Sequence, residues 1–161
     1  MFFLRQVSIR VMKKFRFLLR TDNSIATFFV RVALGAVFFP HGAQKVLGLF
    51  GGGGLVASYS GFTQGMGIPA VFAVLAIAAE FLGSLGLLFG FLTRVAAFGI
   101  GSVMAVAMMM VHWQHGFFMN WHGQQKGEGI EYHLLALAMA VYLMIRGGGA
   151  LSFDGAIARG R

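Results

Sequence analysis

The chain has 161 residues, 58 % hydrophobic and only 11 % charged, and its mean hydropathy is +0.77; a soluble domain carries about 25 % charged residues, so this is membrane composition. The formal charge of +8 does not point to nucleic acid, because six of the thirteen basic residues (Arg5, Arg10, Lys13, Lys14, Arg16 and Arg20) lie in the first twenty and no soluble domain is present to carry such a surface. The absence of cysteine excludes disulfides, thiol catalysis, iron–sulfur ligation and covalently attached c-type haem.

The first 22 residues read as a basic amphipathic segment. Leu4, Val7, Val11, Met12, Phe15 and Leu18 share one helical face; Arg5, Lys13, Arg16 and Arg20 share the other. This predicts a helix lying in the membrane interface. A signal peptide fits poorly, since the charges interrupt any apolar core and no small-residue cleavage site follows.

Residues 23–161 form one membrane domain, with apolar spans predicted at about 24–47, 69–91, 93–114 and 130–146. Each approaches the roughly 17–25 residues that a helix needs to cross the bilayer core. The expected fold class is therefore all-α, a four-transmembrane-helix bundle. Thr21-Asp22-Asn23-Ser24 offers N-caps for the first span, and Pro69 suits the start of the second. Between them, LFGGGGLVASYSGFTQGMGIP carries no charge; Gly51–Gly54 predicts a tight turn and Leu55–Phe62 a short helix at the bilayer. No lysine followed by Ser or Thr completes a phosphate loop there. Gly86-xxx-Gly90 and Ala79-xxx-Gly83 mark close helix packing, within the bundle or in a dimer. Lys and Arg concentrate in the N-terminal segment, the 91–94 turn and the tail from Arg146. The positive-inside rule then places both termini in the cytoplasm and the loops 48–68 and 115–129 outside.

Polar groups inside the spans are costly, by about 2.5–3.5 kcal/mol for a charge at mid-span. They are Arg31, His41 and Lys45 in the first span, Glu80 in the second, His112 and His115 in the third, and Glu131 and His133 in the fourth. His41 and Lys45 are four apart and share a face that could reach Glu80. Glu80 lies about 16 Å below Pro69 at 1.5 Å per residue. All but Arg31, which lies nearer the basic end, fall in the outer half. Plainer roles exist for each: Lys45 snorkelling, His112, His115, Trp113 and Trp121 in an aromatic belt, His133 as an interhelical hydrogen-bonder. Glu80 is the hardest to explain that way. Tyr132, His122 and Glu128 are weaker candidates.

Three chemistries could use such a cluster. A quinone headgroup needs a donor at each carbonyl and a proton relay. A metal would need His and carboxylate ligands, but neither HWQH nor EYH matches a ligand signature. A b-type haem would need axial histidines at matching depth. The quinone-type pocket is favoured over haem or metal, and no metal ligand set is assigned.

Arg31 followed by LGAVFFPHGAQK, then GGGGL…GFTQGMGIP, AEFLGSLGLLFGFLTRVAA, GIEYHLL and GGGALSFD closely resembles the DoxX family of bacterial and archaeal four-helix membrane proteins, from about Val30 to Asp154. The resemblance implies a multi-pass plasma-membrane bundle. Relatives include the membrane subunit of a thiosulfate:quinone oxidoreductase and proteins linked to oxidative-stress complexes. The family's recurrent polar positions correspond to Arg31, His41, Gly42, Lys45, Glu80, Gly90, Glu131, Ser152 and Asp154. GGGALSFD departs from the usual Gly-Pro-Gly form by lacking proline.

The reading that follows is an integral membrane subunit of a redox system, presenting an outward-facing polar pocket for a quinone or similar lipophilic molecule. Glu80, Glu131 and His133 are the expected catalytic groups; Arg31, His41, Lys45 and His112 are expected to bind the ligand. Expected partners are the lipid bilayer, a membrane or peripheral redox protein and a second copy of the chain. The alternatives are a non-enzymatic scaffold or a small transporter.

Overall fold

The computed structural model describes residues 17–159, and among these there is no strand. The N-terminal interfacial helix expected over residues 1–22 falls largely outside them; Phe17–Leu19 are helical, and the Arg94 guanidinium lies 5.1 Å from the Phe17 ring centroid.

Helix α1 spans Ile25–Leu47. Its N-cap is Ser24, whose Oγ accepts from the Thr27 amide at 3.3 Å, satisfying one of the free donors of the first turn. Pro40 lies inside it and removes one ladder donor just before the His41–Lys45 turn. A glycine turn leads into α2, Gly54–Ser60, which passes into a π-turn at Gly61–Gly65. Helix α3 is Ala70–Phe89, capped in front by Pro69 and behind by Gly90. Helix α4, Thr93–Ala107, continues through a π-turn at Met108–His112 and a 3-10 turn at Trp113–His115. Helices α5, Glu131–Arg146, and α6, Phe153–Arg159, complete the fold.

Among the described residues, three helical stretches are long and apolar enough to cross a membrane: Ile25–Leu47, Ala70–Phe89 and Thr93–His115. The fourth predicted span corresponds to α5, whose 16 residues extend about 24 Å, less than the roughly 30 Å of the hydrocarbon core. Helix α1 packs against α3, α3 against α4, α4 against α5, and α5 returns to α1. Leu34, Phe38, Leu87, Ala97, Ile100, Ala140 and Leu143 fill the space between them. Phe29, Leu82, Phe98, Leu135 and Ile145 point outward, as lipid-facing residues must.

Small residues set the helix spacing. A Cβ on Gly99 would lie 3.1 Å from the Ala79 Cβ, and one on Gly101 3.2 Å from the Ala140 Cβ. Where apolar burial gains nothing over lipid, such backbone proximity supplies the packing. The Gly86-xxx-Gly90 pair is used within the chain: Gly86 faces Ala96, and Gly90 meets Ser152 and Arg31.

The end of the fold that carries Arg20–Ser24 and Arg146–Asp154 is locked by polar groups. Arg31 is fully buried. Its Nε donates to the Gly148 carbonyl at 2.7 Å. One terminal nitrogen donates to Leu87 and Leu88, at 2.5 and 2.9 Å. The other donates to Ala150 and Leu151, at 3.3 and 3.1 Å. Five N–H groups thus meet five backbone carbonyls, tying α1 to the end of α3 and to the 148–151 loop. Asp154 is equally buried and accepts from the amides of Leu92 and Thr93, at 2.7 and 2.8 Å, capping α4. Gly90 allows this closure: its φ is +68°, and a Cβ there would lie 2.5 Å from the Ser152 Cβ and 2.9 Å from the Arg31 Cζ. Further ties run from Asp22 to Arg146, an ion pair of 2.6 Å, and from Thr27 Oγ1 to Tyr142 Oη at 2.8 Å. The proline-free GGGALSFD segment is therefore the acceptor cradle for Arg31.

Candidate functional site

At the opposite end, α1 and α3 cross at Gly42. A Cβ on Gly42 would lie 2.5 Å from the Phe81 Cα and 2.7 Å from the Glu80 carbonyl oxygen, so only glycine lets the two backbones approach this closely. One turn further along α1, Lys45 reaches across, and its Nζ lies 2.6 Å from Glu80 Oε2. Glu80 is 4 % exposed, and the Lys45 side chain is 23 % exposed. A short charge-assisted bond between a buried carboxylate and a half-buried amine is stronger than a surface pair, since little water screens it.

Replacing Gly42 by alanine should push α1 and α3 apart. Overpacking of this kind costs about 1–3 kcal/mol. A fall in the thermal unfolding midpoint in detergent checks it; an unchanged midpoint would show that the crossing is not tight.

Helix α5 brings two further groups to this end. Tyr132 stacks on Phe38 with ring centroids 6.3 Å apart. Its hydroxyl is buried and has no hydrogen-bond partner among the described residues. His133 is 4 % exposed and lies against His112, with ring centroids 4.1 Å apart. Its Nδ1 is also buried, with the Gly129 carbonyl against the ring and no hydrogen bond of regular geometry among the described residues. His112 Nδ1 is 2.9 Å from the Glu128 carbonyl oxygen.

The loop between Gly116 and Ile130 closes over the helix ends. Glu131 Oε1 accepts from the Met119 amide at 2.8 Å and from Trp121 Nε1 at 3.2 Å. Glu128 Oε2 accepts from the Asn120 amide at 2.7 Å. The amides of Ile130 and Glu131 donate to Gly116 and Phe117. His115 packs beside Gly127, where a Cβ would lie 2.5 Å from its Nε2.

The structure therefore divides the residues expected from the sequence. Lys45 and Glu80 meet directly. His112 and His133 meet directly. His41 sits on the same end of α1 but is exposed, with Phe38 as its ring neighbour at 6.2 Å. Glu131 directs its carboxylate into the loop. Arg31 is not brought to this group at all; it lies in the carbonyl cradle at the other end. Tyr132, a weaker candidate from sequence, has the better-placed polar atom. Its signal was its position between Glu131 and His133 at the opening of the fourth span. Among the described residues, no three His, Asp or Glu side chains gather to hold a metal ion.

The DoxX family model matches residues 26–113, which includes α1, α3, α4 and the Lys45–Glu80 pair. The chain is also 26 % identical over 137 residues to the Bacillus subtilis (strain 168) protein named "Putative oxidoreductase CatD", covering 85 % of this chain and 90 % of that protein. No solved structure matches it significantly. Since the matched region is more than half of the chain and contains the helices that carry Arg31 and the paired charges, the chain belongs to the DoxX family.

Proposed function

We propose that this chain is an integral membrane subunit of a redox system and takes a quinone, or a similar small lipophilic molecule, at the end of the bundle holding Lys45 and Glu80. The observation that carries this reading is the Lys45–Glu80 pair at the end of the bundle where α5 carries an unpartnered, buried Tyr132 hydroxyl. Two donors on different helices and a nearby carboxylate are what a two-carbonyl headgroup needs for binding and proton supply. Lys45 and Tyr132 donate to the ligand, Glu80 holds or accepts a proton, and His41 stands at the rim. Glu131 closes the site by holding the loop over it, and His133 and His112 lead from it toward that loop. The name of the Bacillus relative supports a redox connection. A peripheral or membrane redox protein is the natural partner.

In this reading α5 is a fourth crossing. Its outward-facing Leu135, Val141 and Ile145 suit lipid, and local thinning of the bilayer with snorkelling of Arg146 at its end accommodates its short length. Both termini lie in the cytoplasm of a bacterial or archaeal cell, and the site opens on the outer face of the plasma membrane.

The test is labelling of the purified chain with a decyl-tailed benzoquinone carrying a photoactivatable azide. Labelling near Lys45 and Tyr132, reduced at least tenfold in Glu80→Gln with unchanged helix content, is the expected result. Full labelling in that variant, or labelling confined to the outer apolar surface, would overturn the assignment.

One observation favours a second reading, a non-enzymatic scaffold: Lys45, Glu80, Glu131, Arg31 and Asp154 all find partners within the chain. Glu80→Gln would then lower stability without altering any ligand-dependent property.

A further inference from the structure

The end of the fold away from Lys45 gathers arginines. Three helices each send one to the Arg20–Asn23 segment. From the first turn of α4, Arg94 donates through Nε and one terminal nitrogen to the Arg20 carbonyl, at 3.2 and 3.0 Å, and through the other to the Met144 carbonyl. From the last turn of α5, Arg146 holds the Asp22 carboxylate at 2.6 Å. From the end of α6, Arg159 donates to Asn23 Oδ1 at 3.2 Å. Arg20 itself is the fourth, and it is exposed. Among the described residues these four guanidiniums meet one accessible carboxylate, Asp22. Asp154 is buried and taken by the amides of Leu92 and Thr93. The donors are also largely unspent. Of the five N–H groups on a guanidinium, Arg94 uses three, Arg146 two and Arg159 one within the described residues.

We propose that this arginine cluster is a binding site for the phosphate headgroup of an anionic phospholipid. Guanidinium forks take phosphate oxygens in pairs, and the surplus positive charge favours a lipid of net negative charge over a zwitterionic one. The contacts to Arg20–Asn23 fix three of the four side chains in advance, so less rotamer freedom is lost on binding. The surroundings select a lipid over free phosphate. Phe17, Ile145, Leu151 and Phe153 are exposed at the same end and offer apolar surface to acyl chains. Arg94 opens the membrane-length Thr93–His115 stretch, so it stands at the level where headgroups lie.

The site is tested on the full chain in a nonionic detergent. The thermal unfolding midpoint and the native mass spectrum are followed on adding dioleoyl phosphatidylglycerol, dioleoyl phosphatidylcholine or inorganic phosphate. Phosphatidylglycerol should bind and raise the midpoint, and the other two should leave it unchanged. In Arg20→Gln with Arg159→Gln, the affinity for phosphatidylglycerol should fall at least fivefold with unchanged helix content. Lys13→Gln with Lys14→Gln removes as much positive charge from outside the cluster and should leave the affinity within twofold. Equal binding of phosphatidylcholine would overturn the proposal. So would undiminished affinity in the double arginine variant, or an equal loss in the lysine variant. The same stabilisation by inorganic phosphate would overturn it too, assigning the cluster to a free anion. None of these results bears on quinone labelling at Lys45 and Tyr132, so the two readings fail separately.

Discussion

Arg31→Lys should destabilise the fold by about 2–4 kcal/mol, despite the conserved charge. Lysine has three donors where the guanidinium supplies five, so at least two of the carbonyls of Leu87, Leu88, Gly148, Ala150 and Leu151 lose their partner. Each buried acceptor left unsatisfied costs about 1–3 kcal/mol. The flexible amine also cannot reproduce the planar fork that reaches the end of α3 and the 148–151 loop together. Arg31→Met should be worse, at about 3–5 kcal/mol, because all five carbonyls then lose the guanidinium. Unfolding in mixed micelles with increasing sodium dodecyl sulfate measures both. If Arg31→Lys unfolds like the wild type, the cradle is not what holds the terminal end together. The consequence is local first: α6 and the 147–152 turn should lose amide protection before α1 and α3 separate.

Removing one member of the Lys45–Glu80 pair should cost more than removing both. Lys45→Met leaves a carboxylate 4 % exposed without its counter-charge, which costs about 3 kcal/mol. In Lys45→Met with Glu80→Leu the cost should fall below about 1.5 kcal/mol, since a desolvated ion pair replaced by apolar groups of similar size is close to neutral. Glu80→Gln with Lys45 intact should be the mildest single change, because the amine is partly exposed and can turn to the headgroups. The double-mutant cycle decides what the pair is for. A large coupling energy with unaltered quinone labelling in the double variant would make it a packing device. Near-neutral stability of the double variant together with lost labelling would show that the charges are kept for ligand binding.

The membrane class, the positions of the helices and the list of polar residues were legible in the sequence, and the physical reason is simple. Long apolar runs interrupted by glycine and proline can satisfy their backbone in lipid only as helices. Hence the expected spans at about 24–47, 69–91 and 93–114 coincide with Ile25–Leu47, Ala70–Phe89 and Thr93–His115. Residue count along a helix also gives depth, so the separation of Arg31 from His41 and Lys45 was visible in outline. The resemblance on LGAVFFPHGAQK and AEFLGSLGLLFG was enough to indicate the family. Helix rotation was not legible, because it depends on which faces meet. Only the tertiary structure decided that Lys45 faces Glu80 over Gly42, that His112 meets His133, and that His41 stays at the rim. It also sent Glu131 into the loop and Arg31 into a cradle of carbonyls. Backbone acceptors carry no residue identity, so no pattern of side chains announces them; they exist as a site only once the end of α3 and the glycine turn after α5 are brought to the same point.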